Sequence, residues 1–109
     1  MATAARTVIT LPATARRGDV VELRTLIGHT METGYRVGDG GQVLPRDILR
    51  RFECRLDGEL VFAADLAPAI SANPYIAFNL RAAKSGTLSF SWQGDNGFAW
   101  TETRPFTVT

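Results

Sequence analysis

The chain contains one histidine, His29, and one cysteine, Cys54, and these two residues bound the chemistry it can perform. A type 1 copper centre takes two histidines and a cysteine. A histidine-rich iron centre needs more imidazoles still, and structural zinc takes four ligands, usually cysteine or histidine. The chain supplies one of each, so it is expected to hold no metal cofactor by itself. To act as a nucleophile–base pair, the two would have to lie within hydrogen-bond reach of each other. Cys54 alternates in phase with Phe52 and Leu56, which places it on a core face, where a thiol behaves as a small, inert hydrophobe. His29 stands at the mouth of a glycine-rich loop, outside the alternating segments. A lone cysteine also leaves no partner for an internal disulfide.

The remaining chemical groups are equally unpaired. Glu32, Asp39, Asp47 and Asp65 are scattered over expected loops and strand ends, and no spacing couples any two of them into an acid–base pair. A glycine-rich phosphate loop needs a helix to open, and no helical periodicity of useful length exists. Phe90, Trp92, Phe98, Trp100 and Phe106 fall at core-facing spacing without interleaved Lys or Arg, so they read as packing rather than as a base-stacking surface. Twelve basic and eleven acidic residues leave a net charge of +1, which gives no electrostatic argument for nucleic acid or a membrane surface. The residues therefore point away from an enzyme and away from a resident cofactor.

What must position these side chains is a set of short strands. The length of 109 residues, 45% of them hydrophobic and 21% charged, suits one ordinary globular domain spanning 1–109. Val8 to Leu11 reads as a first strand, stopped by Pro12. In Asp19 to Ile27, Val21, Leu23, Thr25 and Ile27 share one face. Val20 and Leu26 lie on the other, so this strand is expected to expose little. Gly28 to Pro45 holds five glycines and reads as a long loop or loose hairpin, a length that is usually functional or disordered. A third strand runs from about Ile48 to Leu56, and Pro45 to Phe52 could begin with a helical turn. Asp57-Gly58 is a two-residue hairpin signal into Glu59 to Ala64. After a crossing loop at Pro68 to Pro74 come strands at Tyr75 to Arg81 and Thr87 to Trp92. Asp95-Asn96-Gly97 then turns into a last pair of segments around Phe98–Trp100 and Phe106–Val108. Pro105 marks an edge or bulge. About seven strands with frequent turns predict an all-β, immunoglobulin-like antiparallel sandwich. The N-terminus, Met1 to Arg6, lacks the apolar stretch of a signal peptide, and no run is long enough for a transmembrane helix.

Several stretches, in order, carry a family resemblance: His29-Thr-Met31-Glu32-Thr-Gly34, Pro45-Arg-Asp-Ile48-Leu-Arg50-Arg-Phe52-Glu-Cys54, Ser71-Ala-Asn73-Pro74-Tyr75 and Asp95-Asn-Gly97. Together, over essentially the whole chain, they resemble the SoxZ family. Thr30 departs from the proline expected after the histidine, which bears on the shape of that loop. The resemblance implies a non-catalytic subunit of a heterodimeric sulfur carrier in thiosulfate oxidation. In that arrangement a SoxY partner carries sulfur intermediates on a tail cysteine and pathway enzymes dock in turn. It implies a periplasmic location reached by co-export with a signal-bearing partner, and no bound cofactor. His29, Met31, Glu32, Arg36, Asn73 and Asp95 are the loop residues expected to contribute docking contacts. The competing expectation is a stand-alone immunoglobulin-like binding or adhesion module, which would need an exposed aromatic platform.

Overall fold

A computed structural model describes residues 6–109. The first five residues, on which the reading of a missing signal peptide partly rests, lie outside the described part. Eight strands form: β1 (Thr7–Thr10), β2 (Thr14–Ala15), β3 (Val20–Ile27), β4 (Leu49–Leu56), β5 (Glu59–Asp65), β6 (Tyr75–Arg81), β7 (Gly86–Gly94) and β8 (Ala99–Val108). They make two sheets, one ordered β1-β3-β6 and the other β2-β8-β7-β4-β5. All pairings are antiparallel except the two-residue contact of β2 with β8. This is the immunoglobulin-like sandwich that the alternation predicts. No helix is long and apolar enough to cross a membrane among the described residues.

The core follows from side chains alternating across each strand. Leu23, Thr25 and Ile27 of β3 are buried, as are Phe52, Cys54 and Leu56 of β4 and Leu88, Phe90 and Trp92 of β7. Phe52 sits at the centre: its ring lies 5.2 Å from that of Trp92, 6.0 Å from Phe78 and 6.2 Å from Phe62. Phe62 of the five-stranded sheet and Phe78 of the three-stranded sheet stack across the gap with centroids 4.3 Å apart. Thr25, the one polar residue in this layer, satisfies its hydroxyl by donating to the Ile76 carbonyl at 3.1 Å. The Trp92 indole N–H, in contrast, is buried without a partner.

The turns behave as their residues require. Asp57 and Gly58 both adopt positive φ, 49° and 85°, which is the type I′ geometry that matches the twist of a hairpin. Pro105 lies within β8 opposite Thr87. The Thr87 N–H and C=O both bond to Asp57, away from β8. The nitrogen of Pro105 therefore faces away from β7, on the side where β2 pairs with β8 only at Thr107 and Val108, so a missing donor breaks no ladder bond.

Three expectations need correction. The last two segments are one continuous ten-residue strand, because Asp95–Gly97 supplies the only reversal after β7. No helical turn opens β4; residues 45–48 are extended, and Asp47 forms an isolated bridge with Glu32. Val20 and Leu26 are 57% and 36% exposed, at the two ends of an outward row of β3 whose middle is the exposed Glu22–Arg24 ion pair. The Gly28–Pro45 stretch is a loop closed as a loose hairpin by the Glu32–Asp47 and Val37–Val43 bridges.

The close approach of β7 to β4 depends on Gly94, where a Cβ would stand 2.6 Å from the Ile48 carbonyl oxygen. That oxygen is backbone and cannot swing away. The Gly94→Ala variant should lose about 1–3 kcal/mol, the usual cost of overpacking, read as a lower urea midpoint. An unchanged midpoint would show that the two strands have room to part.

Candidate functional site

Strand directions bring three connections, the β3–β4 loop, the β5–β6 loop and the β7–β8 turn, to one end of the sandwich. The C-terminus of β3, the N-terminus of β4, the N-terminus of β6 and the β7–β8 turn all meet there, and all six candidate residues lie on them. Backbone bonds knit this end together. Glu32 and Asp47 exchange N–H···O=C bonds at 2.9 and 2.8 Å, tying the long loop to the segment before β4. Asn73 N–H donates to the His29 carbonyl at 2.7 Å, and its side-chain oxygen accepts from the His29 N–H at 3.0 Å. Asn73 holds a left-handed φ of 54°, a conformation that asparagine tolerates better than most residues.

Asp95 is the anchor of the β7–β8 turn. Its carboxylate accepts from Arg46 Nε and Nη2 at 2.9 and 3.0 Å and from the Ile48 N–H at 3.1 Å. Arg50 adds an ion pair at 3.3 Å. The hydrogen bonds from Arg46 lead the effects that hold the Asp95 carboxyl below its ordinary range. Glu32 is held low in the same way by Arg36, which meets it bidentately with a closest contact of 2.7 Å. Sequence reasoning named Asp95 but missed Arg46 and Arg50, because nothing local marks an arginine as the partner of a carboxylate some 45 residues away.

His29 is mostly enclosed, with 8% of its side chain exposed. Its Nδ1 accepts the Met31 N–H at 3.1 Å, its ring meets Phe98 edge-on at 5.3 Å, and its Nε2 lies 3.9 Å from Asp47 Oδ1. Met31 is a correction. It is 5% exposed, and its thioether sulfur accepts the Leu49 N–H at 3.3 Å, so it plugs the core beneath the loop instead of offering a docking contact. Of the six, Arg36 and Asn73 are exposed, the Arg36 side chain by 67%. The structure therefore gathers the six residues at one end, but uses most of them to fix the loops to one another.

Cys54 lies far from this end's chemistry in kind as well as in place. It is fully buried between Phe62 of β5 and Phe90 of β7 in the sheet register, and burial pushes its thiol up to about 12. At neutral pH it is a protonated thiol without water access, so it is neither nucleophile nor ligand. No group of three or more metal-ligating side chains occurs among the described residues.

The outward faces of the two sheets differ sharply. On the five-stranded sheet Arg51, Glu53, Arg55 and Asp65 neutralise one another as a surface network, and Ser89, Ser91, Thr101 and Thr103 lie beside them in register. On the three-stranded sheet Val8, Leu26 and Tyr75 stand directly opposite one another across all three strands. They are 59%, 36% and 60% exposed.

The Asp95 arrangement has a definite pH signature. A carboxylate held low in the folded state contributes stability that is present above its unfolded pKa and lost as pH falls through its folded one. At neutral pH the wild type should resist urea better than Asp95→Asn, and the difference should shrink as pH falls below the ordinary carboxylate range and the Asp95 carboxyl takes up its proton. A gap that stays constant over that range would mean that the charge of Asp95 contributes nothing.

With this geometry in view, the comparisons are specific. The SoxZ family, described as "Sulphur oxidation protein SoxZ", matches the chain over residues 9–105. A superoxide reductase (neelaredoxin) from Ignicoccus hospitalis is 17% identical, with a TM-score of 0.69 over 94% of this chain and 80% of that one. The sulfur carrier protein SoxY from Chlorobium limicola f thiosulfatophilum is 18% identical, with a TM-score of 0.66 over 94% of this chain and 78% of that one. At such identities these two structures show a shared fold and nothing finer. No metal-centre reading follows from the first, because one histidine cannot assemble a histidine-rich site. No curated protein matches the chain.

Proposed function

The chain belongs to the SoxZ family of sulphur oxidation proteins, and from that premise we propose that it is the non-catalytic subunit of a heterodimeric sulfur carrier in thiosulfate oxidation. In this reading a SoxY-like partner carries the covalent sulfur on a tail cysteine. The present chain gives it a rigid base and part of the surface on which pathway enzymes dock in turn. The complex works in the periplasm, reached by co-export with the partner.

The observation that carries the reading is the uncovered row Val8–Leu26–Tyr75, on a chain whose described residues hold no cluster of metal-ligating side chains. A contiguous apolar row crossing a whole sheet is a surface that a second protein covers. The chemistry left to the chain agrees with a supporting role: its one thiol is sealed in the core and its one imidazole is engaged in holding a loop. The loop end, braced by the Asp95 and Asn73 bonds, suits repeated docking, with exposed Arg36 as a candidate contact. Exposed Tyr35 and Tyr75 are what the alternative, a stand-alone binding module, would use. That alternative needs no second chain.

Coexpression with a SoxY-like chain should give a 1:1 complex that survives a sizing column at micromolar concentration. An interface of the obligate kind buries more than about 2,000 Å² in total. Leu26→Glu and Tyr75→Glu should each weaken it at least about thirtyfold, the scale of a hot-spot loss near 2 kcal/mol. Thr101→Glu, on the outer face of the other sheet, should leave it intact. Separation of the wild-type chains would end the pairing proposal. Sensitivity to Thr101→Glu but not to Leu26→Glu would move the interface to the other face.

A further inference from the structure

His29 has two partners of opposite preference on its two ring nitrogens. Nδ1 accepts the Met31 N–H at 3.1 Å, which requires that nitrogen to be unprotonated. Nε2 faces Asp47 Oδ1 at 3.9 Å, too far for a hydrogen bond but close enough to attract an imidazolium. The neutral ring therefore belongs to Met31 and the charged ring to Asp47. From this geometry we infer that His29 is a proton-operated latch on the loop end: neutral, it clamps Met31; protonated, it releases Met31 and turns toward Asp47.

The consequences follow along the chain of contacts. Uptake of a solvent proton at Nδ1 sets an N–H against the Met31 N–H, and the enclosed ring cannot satisfy both donors in place. Met31 is held at a left-handed φ of 54°, which a side chain with a Cβ adopts only under constraint. Its sulfur accepts the first amide of β4, Leu49 N–H. Loss of the His29 clamp thus relaxes the Met31 plug and loosens the start of β4.

The charged groups on the surrounding elements do not preempt this exchange. Asp47, on the segment before β4, is the one that faces the ring. Glu32 on the same loop is engaged by Arg36, and Asp95 in the turn before Phe98 is engaged by Arg46 and Arg50. Asn73, which brackets the His29 backbone, is uncharged. Phe98 meets the ring only by its edge. This behaviour is independent of the partner reading, since every contact in it lies within the chain.

The test is amide hydrogen exchange by NMR on the full chain at about pH 8 and about pH 5, the range in which imidazole gains its proton, corrected for intrinsic exchange. Nitrogen shifts of the imidazole are followed in the same samples. Met31 and Leu49 should lose protection about tenfold in acid, the scale of one net hydrogen bond, while Phe90 in the core keeps its protection. His29→Asn offers an amide oxygen to Met31 and cannot titrate, so its Met31 protection should not change with pH. The inference is overturned if the imidazole stays neutral to about pH 5, if it titrates without change at Met31, or if His29→Asn shows the same acid loss.

Discussion

Phe52 is the point at which the two sheets are joined, and the rest of the molecule is arranged around keeping that ring dry. It comes from β4, between β7 and β5, and meets Phe62, Phe90 and Trp92 of its own sheet and Phe78 of the other. Contact of this kind survives only if every neighbouring strand turns the same alternate residues inward, so register and core composition are a single constraint. Cys54, two residues along, falls on the same face and is sealed by the same requirement. Its inertness is a consequence of where β4 must lie.

A core held from both sides leaves the loop end and the outer sheet faces as the places where sequence can vary into function. At the loop end, the carboxylate of Asp95 and the side chain of Asn73 replace the ladder bonds that the strands no longer provide. These bonds are hybrid in character, with side chain on one partner and backbone on the other, and they tie three connections into one surface. The sheet faces divide differently. One is finished with an internally neutralised charge row and small hydroxyls, and the other carries apolar side chains that nothing in this chain covers.

The fold was legible because period-two alternation is strong in β3, β4 and β7, and because Asp57-Gly58 demands a hairpin. The boundary of β8 was misread where Pro105 suggested a break. The proline interrupts nothing there, since its nitrogen faces away from β7 and β2 does not pair with it, and that depends on ladder parity rather than on residue type. At the loop end, residue types pointed to His29, Glu32, Asn73 and Asp95, and all four lie together. Their roles were not legible: Arg46 and Arg50 reach Asp95 only through the pairing of β4 with β7. Met31 reads as a loop residue in sequence, and only its left-handed backbone sends the side chain into the core. The row Val8–Leu26–Tyr75 was half visible, since Leu26 stood out within β3, but its neighbours are set by register across three strands.

The central claim is that this chain supports sulfur chemistry without carrying sulfur itself. The most direct test is intact-mass analysis of both chains of the coexpressed complex after incubation with thiosulfate and the enzymes that load the carrier. The account predicts that sulfur or thiosulfonate mass is added to the partner alone, while this chain keeps its unmodified mass and Cys54 stays a free thiol. A substrate-dependent mass increase on this chain, mapped to Cys54, would contradict it and make the chain a carrier in its own right.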